Sequence, residues 1–141
     1  MMAQWVWFAL GSALFAGLTT LLAKLGVEHV PSNVATLIRT AVILALVALL
    51  LILRREWPQP GQLGSRSVLF LVLSGLTTGL SWLCYYRALQ QGPASLVAPL
   101  DKLSLPLSLV LAVLVLGERL TAWQWLGAIL MTAGATLLFL K

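Results

Sequence analysis

The chain has 141 residues, of which 60% are hydrophobic and only 9% charged. Soluble globular proteins carry about 25% charged residues, so this composition excludes a soluble fold and implies helices embedded in a membrane. The net charge of +5 does not point to nucleic acid, because the Lys and Arg residues are scattered over loops and helix ends, where such charge orients membrane helices. With 1 Cys (Cys84) and 1 His (His29), the chain has no means of building an intramolecular disulfide or a Cys-based metal site, and no cofactor is expected.

A helix needs roughly 20 apolar residues to cross the hydrocarbon core. Stretches of that kind occupy residues 5–27, 34–53, 68–89, 96–116 and 122–140. The first has no basic segment before it and is too long for a signal-peptide core, so it is expected to be retained. Pro31 stops the first helix from continuing, with Ser32 as the expected N-cap of the second. The connection at 54–66 holds Arg54, Arg55, Glu56, Pro58, Pro60, Gly61 and Gly64, a polar and breaker-rich run that belongs in water, and Ser65 is the expected cap of the third helix. Gly92-Pro93-Ala94-Ser95 turns the chain into the fourth span. Gly117-Glu118-Arg119-Leu120-Thr121 turns it into the fifth, with Thr121 and Gln124 spaced as a capping box.

The expected fold is therefore an all-α membrane protein, a single domain of five transmembrane helices over residues 1–141. The helices alternate in direction, which puts the termini on opposite faces. Arg54, Arg55, Arg66 and Arg119 lie on the N-terminal face. Lys141 lies on the other, together with Lys24, Arg39, Arg87 and Lys102, which are close enough to snorkel toward it. Loop charge is thus nearly balanced and sets no strong orientation. Trp5, Trp7, Trp57, Trp123 and Trp125 fall at the N-terminal face, as an interfacial aromatic belt does.

The charges inside the spans are the main constellation. Lys24 precedes Pro31 by seven residues and Arg39 follows it by eight, while Arg87 precedes Gly92 by five and Asp101 follows it by nine. At about 1.5 Å per residue these four stand roughly 6–14 Å from the C-terminal face, in one layer. A charge at mid-helix costs about 2.5–3.5 kcal/mol, so the side chains are expected to face the bundle interior, a wet cavity or one another. The plain alternative is an ion-paired structural layer. Asp101 is the acid well inside a span and the expected hub of the pairing, and the layer stays net positive, which favours anionic or zwitterionic solutes. Trp82, Tyr85 and Tyr86, at i, i+3 and i+4, make an aromatic wall below it, or ordinary bundle packing. Gly75 and Gly79 form a GxxxG motif that permits close helix approach. Pro106 is expected to bend the fourth span beside Asp101.

Residues 82–137 carry a more specific pattern. Tyr86-Arg87-Ala88-Leu89, Ala94-Ser95-Leu96-Val97-Ala98-Pro99-Leu100, Leu116-Gly117-Glu118-Arg119-Leu120-Thr121 and Gly127-Ala128 resemble the EamA domain of the drug/metabolite transporter superfamily. With Asp101-Lys102-Leu103-Ser104, Ala23-Lys24-Leu25-Gly26 and Ile38-Arg39-Thr40, the chain is similar throughout to the short five-helix bacterial and archaeal members. Most relatives hold two such repeats of opposite orientation, so the resemblance implies that this single repeat is completed by an inverted second copy, enclosing a substrate cavity between them. The related small multidrug exporters use a mid-membrane Glu in their first helix, and residues 5–23 here contain no acid, so that mechanism does not carry over.

The resulting expectation is a secondary transporter of small organic metabolites in the bacterial plasma membrane, working by alternating access as an antiparallel homodimer and without an enzymatic step. Its partners are a second copy, the solute and membrane lipids, not nucleic acid. Lys24, Arg39, Trp82, Tyr85, Tyr86, Arg87, Asp101, Lys102 and Pro106 are the candidate binding or gating residues. A non-transporting accessory subunit of a membrane complex and a half-size flippase for a lipid-linked metabolite are the alternatives.

Overall fold

In a computed structural model, residues 4–58 and 63–139 are described. They form helices α1 (Gln4–Gly26), α2 (Ser32–Arg54), α3 (Ser65–Gln91), α4 (Ala94–Asp101), α5 (Ser104–Leu116) and α6 (Ala122–Leu137), with no strand among the described residues. The chain divides after Gln91 into two compact units, α1–α3 and α4–α6.

In the first unit each helix is long and apolar enough to cross a membrane. The 23 residues of α1 rise about 35 Å, against a hydrocarbon core of about 30 Å. The start of α2 differs from expectation. Pro31, at φ −53° and ψ 136°, is the cap residue and makes no side-chain cap bond, while Ser32 is already helical and buried. The extended backbone of Pro31 makes the break by itself, and its carbonyl accepts from Ala35 N at 3.0 Å. Ser65 is likewise the first helical residue of α3 rather than its cap, with the Gly64 carbonyl accepting from Val68 N at 3.1 Å. At the far end of α2, Arg55 takes a left-handed conformation (φ 55°), and Glu56 N donates back to the Leu51 carbonyl at 3.1 Å. This is the Schellman arrangement without its usual glycine. Pro60 and Gly61 lie outside the described residues.

The buried residues of this unit are Ala23, Val27, Ser32, Thr36, Tyr85, Tyr86 and Leu89, all where the end of α1, the start of α2 and the end of α3 meet. Most other large apolar side chains are exposed, as lipid-facing surface is. Gly75 and Gly79 belong to this open surface. A Cβ placed on either meets nothing within 4 Å, so the close approach that the GxxxG motif permits is not made among the described residues.

In the second unit the fourth span is interrupted. The segment Ala94–Leu116 has the length and composition to cross a membrane, yet it breaks into α4 and α5 at Lys102 and Leu103. Pro106 has no N–H to give the carbonyl four residues back, and its ring crowds that carbonyl. The Lys102 carbonyl accepts instead from Leu105 N at 3.0 Å, a tighter turn, and regular bonding resumes from Leu107 N to the Leu103 carbonyl at 3.3 Å. The effect is a break one turn ahead of the proline, directly after Asp101, where the sequence predicts the bend. Gly117 (φ 69°) ends α5, with Glu118 N bonded to the Ala112 carbonyl at 3.2 Å. The expected capping box opens α6: Gln124 N donates to Thr121 Oγ1 at 3.4 Å, and Thr121 N donates to Gln124 Oε1 at 2.7 Å. α6 has 16 residues and falls short of a span by itself. The expected fifth span runs on to Leu140, which with Lys141 lies outside the described residues.

Candidate substrate site

The packed end of the first unit brings together five of the candidate side chains, Lys24, Arg39, Trp82, Tyr85 and Tyr86. On α3, Trp82, Tyr85, Tyr86 and Leu89 fall at i, i+3, i+4 and i+7, a single stripe, and it is the stripe turned toward α1 and α2. The Trp82 ring meets Tyr85 edge-on (centroids 5.3 Å apart, 77° between planes) and Tyr86 at a tilt (5.6 Å, 48°). The Tyr85 hydroxyl is hydrogen-bonded to Thr20 Oγ1 on α1 at 2.8 Å. One turn further along α1, Lys24 Nζ donates to the Leu89 carbonyl at 2.6 Å. Gln90 Nε2 then donates to the carbonyls of Val30 (2.7 Å) and Val27 (3.2 Å), tying the end of α3 to the α1–α2 turn.

Arg39, on the second turn of α2, lays its guanidinium on the face of Trp82, with Cζ 3.2 Å from the ring centroid. The ring's negative face attracts the cation, and the flat group stacks as an ammonium does not. Beside it opens a pocket of about 300 Å³ between α1 and α2, lined by apolar residues such as Leu22, Val27 and Ile38 and by Thr19, Arg39 and Tyr86. The lining contains no acidic residue.

Arg87 does not join this group. It lies off the aromatic stripe of α3, exposed, and lines a separate depression with Ser32, Asn33, Leu83 and Cys84. In the second unit, Asp101 and Lys102 are neighbours at the α4–α5 break and pair with each other at 3.4 Å, with side chains 34% and 52% exposed respectively. Pro106 lines a groove between α5 and α6 with Val110, Trp125, Ala128 and Thr132. Among the described residues no three His, Cys, Asp or Glu side chains gather to hold a metal ion.

Thr20 and Gln90 were not singled out from sequence. Thr20 stands one turn before Lys24, so the pair marks a polar stripe on an otherwise apolar helix, and that spacing was available as a signal. Gln90 bonds turn carbonyls, which leave no trace in residue identity.

The model of the EamA-like transporter family matches residues 3–140, which takes in both units. The chain belongs to the EamA-like transporter family. A relative from Sinorhizobium sp., named "Uncharacterized transporter in cobO 3'region", is 49% identical over 138 residues, covering 98% of each chain. No solved structure matches the chain. The family match agrees with the resemblance drawn from the motifs, in the helices that build the Arg39 pocket as well as at 82–137.

Proposed function

We propose that this EamA protein is a secondary transporter of small organic metabolites in the bacterial plasma membrane. It works by alternating access, without an enzymatic step, as a homodimer in which the second copy is inverted and residues 1–141 act as one repeat. The observation that carries the reading is Arg39: a half-buried cation inside a membrane helix, stacked on Trp82 and lining a pocket with no acid in its lining. A charge held in that setting is costly unless something compensates it, and intramembrane charges of this kind mark solute paths.

Lys24, Arg39, Trp82, Tyr85 and Tyr86 are the binding group of the first unit. Arg87, Asp101, Lys102 and Pro106 serve gating, with the α4–α5 break supplying a helix that has two arrangements. Inverting the second copy sets an equivalent pocket near the opposite membrane surface.

Two measurements test the reading. Reporter fusions after Lys141 give comparable signal from cytoplasmic and periplasmic reporters if both orientations are inserted; signal confined to one compartment removes the inverted pair. Liposomes carrying the purified chain and loaded with a defined metabolite mixture release at least one component faster than protein-free liposomes. A chain that releases none and copurifies with a different membrane protein is an accessory subunit instead.

A further inference from the structure

Stacking on Trp82 occupies the face of the Arg39 guanidinium, and the N–H groups of a guanidinium lie in its plane, at its edges. Among the described residues those edges meet no acceptor: neither an ion pair nor a hydrogen bond uses Arg39. The fork matches a carboxylate in two parallel bonds. Around it the wall is apolar apart from two hydroxyl side chains, Thr19, already engaged with the Phe15 carbonyl at 2.7 Å, and Tyr86. Arg39 is the one cation in the lining, and Lys24 is turned to the Leu89 carbonyl. The volume, about 300 Å³, is at the small end of ligand pockets.

Resting on the transport reading above, we propose that the α1–α2 pocket binds small organic solutes that carry a single carboxylate on an apolar body, with Arg39 as the anion-binding group and Trp82 as the platform that holds it. A single cation calls for a single negative charge, and the apolar wall calls for a ring or branched chain behind it. A dianion would keep one charge uncompensated in the membrane, and a cation would face the guanidinium directly.

Benzoate, benzamide and benzylamine share a ring and differ in charge, so they separate the contribution of Arg39 from that of the wall. Binding of labelled benzoate to the purified chain in uncharged detergent is measured by scintillation proximity, with the other two as competitors. Benzoate is expected to bind at least about tenfold more tightly than benzamide, as a charge-assisted hydrogen-bond pair implies, and benzylamine is expected not to compete. Arg39→Gln brings benzoate to within about twofold of benzamide, because the larger loss falls on the charged ligand. Arg39→Lys keeps the preference at a reduced ratio because the fork is lost, and it decides the matter when Arg39→Gln does not elute as a folded protein. Equal affinity for benzoate and benzamide in the native chain, no benzoate binding at millimolar concentration, or an undiminished ratio in either variant overturns the proposal. So does displacement of benzoate by phosphatidylglycerol, which makes a lipid headgroup the occupant. Charge-selective binding without benzoate flux in proteoliposomes leaves the site standing and removes the transport reading; flux of other solutes with no charge preference at Arg39 does the reverse.

Discussion

Gln90→Leu tests whether the end of α3 holds the α1–α2 turn in place. Gln90 Nε2 donates to the carbonyls of Val30 and Val27 at 2.7 and 3.2 Å, across 60 and 63 residues of sequence. Neither carbonyl belongs to a helix interior, so the side chain supplies donors the turn would otherwise lack. Leucine fills nearly the same space, which confines the loss to hydrogen bonding. Interhelix hydrogen bonds in membranes average about 0.6 kcal/mol, and a typical bond in a folded protein contributes up to about 1.5 kcal/mol. Two bonds therefore give about 1.2–3 kcal/mol. Unfolding in mixed micelles of increasing SDS fraction, followed by tryptophan fluorescence, measures the difference. Gln91→Leu is the control: Gln91 is exposed, and its substitution is expected to cost less than about 0.5 kcal/mol. Because Gly26, Val27 and Val30 line the pocket beside Arg39, Gln90→Leu also weakens benzoate binding with Arg39 intact. Equal stability of the two variants would refute the clamp.

A double-mutant cycle of Thr20→Val and Tyr85→Phe isolates the 2.8 Å hydroxyl pair between α1 and α3, and a coupling of about 0.6 kcal/mol is expected in SDS unfolding; additive effects would show that the pair does not couple the helices. Pro106→Ala restores an N–H beneath the Lys102 carbonyl, so α4 and α5 are expected to fuse, read as slowed amide exchange at residues 102–106 together with slower solute release from liposomes; unchanged exchange would mean that the break has another cause. Asp101→Asn is expected to impair release while costing at most about 1 kcal/mol of stability, since its pair with Lys102 is partly exposed, whereas Glu118→Gln alters neither; full activity of Asp101→Asn removes it from the gate.

The helical plan was legible because long apolar runs and breaker residues are one-dimensional signals. The capping box at Thr121 and Gln124 is of the same kind, a local spacing with a local partner. What counting residues gives for a buried charge is its height along the helix axis, not its angle around it. Arg39 and Arg87 were placed at similar depth, yet Arg39 stacks on Trp82 beside the pocket and Arg87 lies off that stripe of α3. The 82, 85, 86, 89 spacing contained that angle, and Arg87 is off it. The α4–α5 break beside Asp101 is legible in Pro106, which lacks a donor. Its consequence falls on the carbonyl four residues earlier, at Lys102. Ser32 and Ser65 have the residue type of an N-cap, but proline and glycine ahead of them end the preceding segment first.

The polar contacts of the first unit have a distribution that matters for how it moves. Helices in a bilayer gain little by turning apolar surface toward one another, since lipid tails are equally apolar, so hydrogen bonds and close packing decide where they hold. The Thr20–Tyr85, Lys24–Leu89, Gln90–Val30 and Gln90–Val27 bonds and the Arg39–Trp82 stack all fall within residues 20–39 and 82–90. Toward the other end, the large apolar side chains of the three helices are exposed. The three helices are thus tied at one end and open at the other. In the inverted pair proposed above, each membrane surface receives the tied end of one copy and the open end of its partner. Closure on either side of that proposed pair would move the open end against a fixed one, and the Arg39 pocket, which belongs to the tied end, would keep its shape while access to it changes.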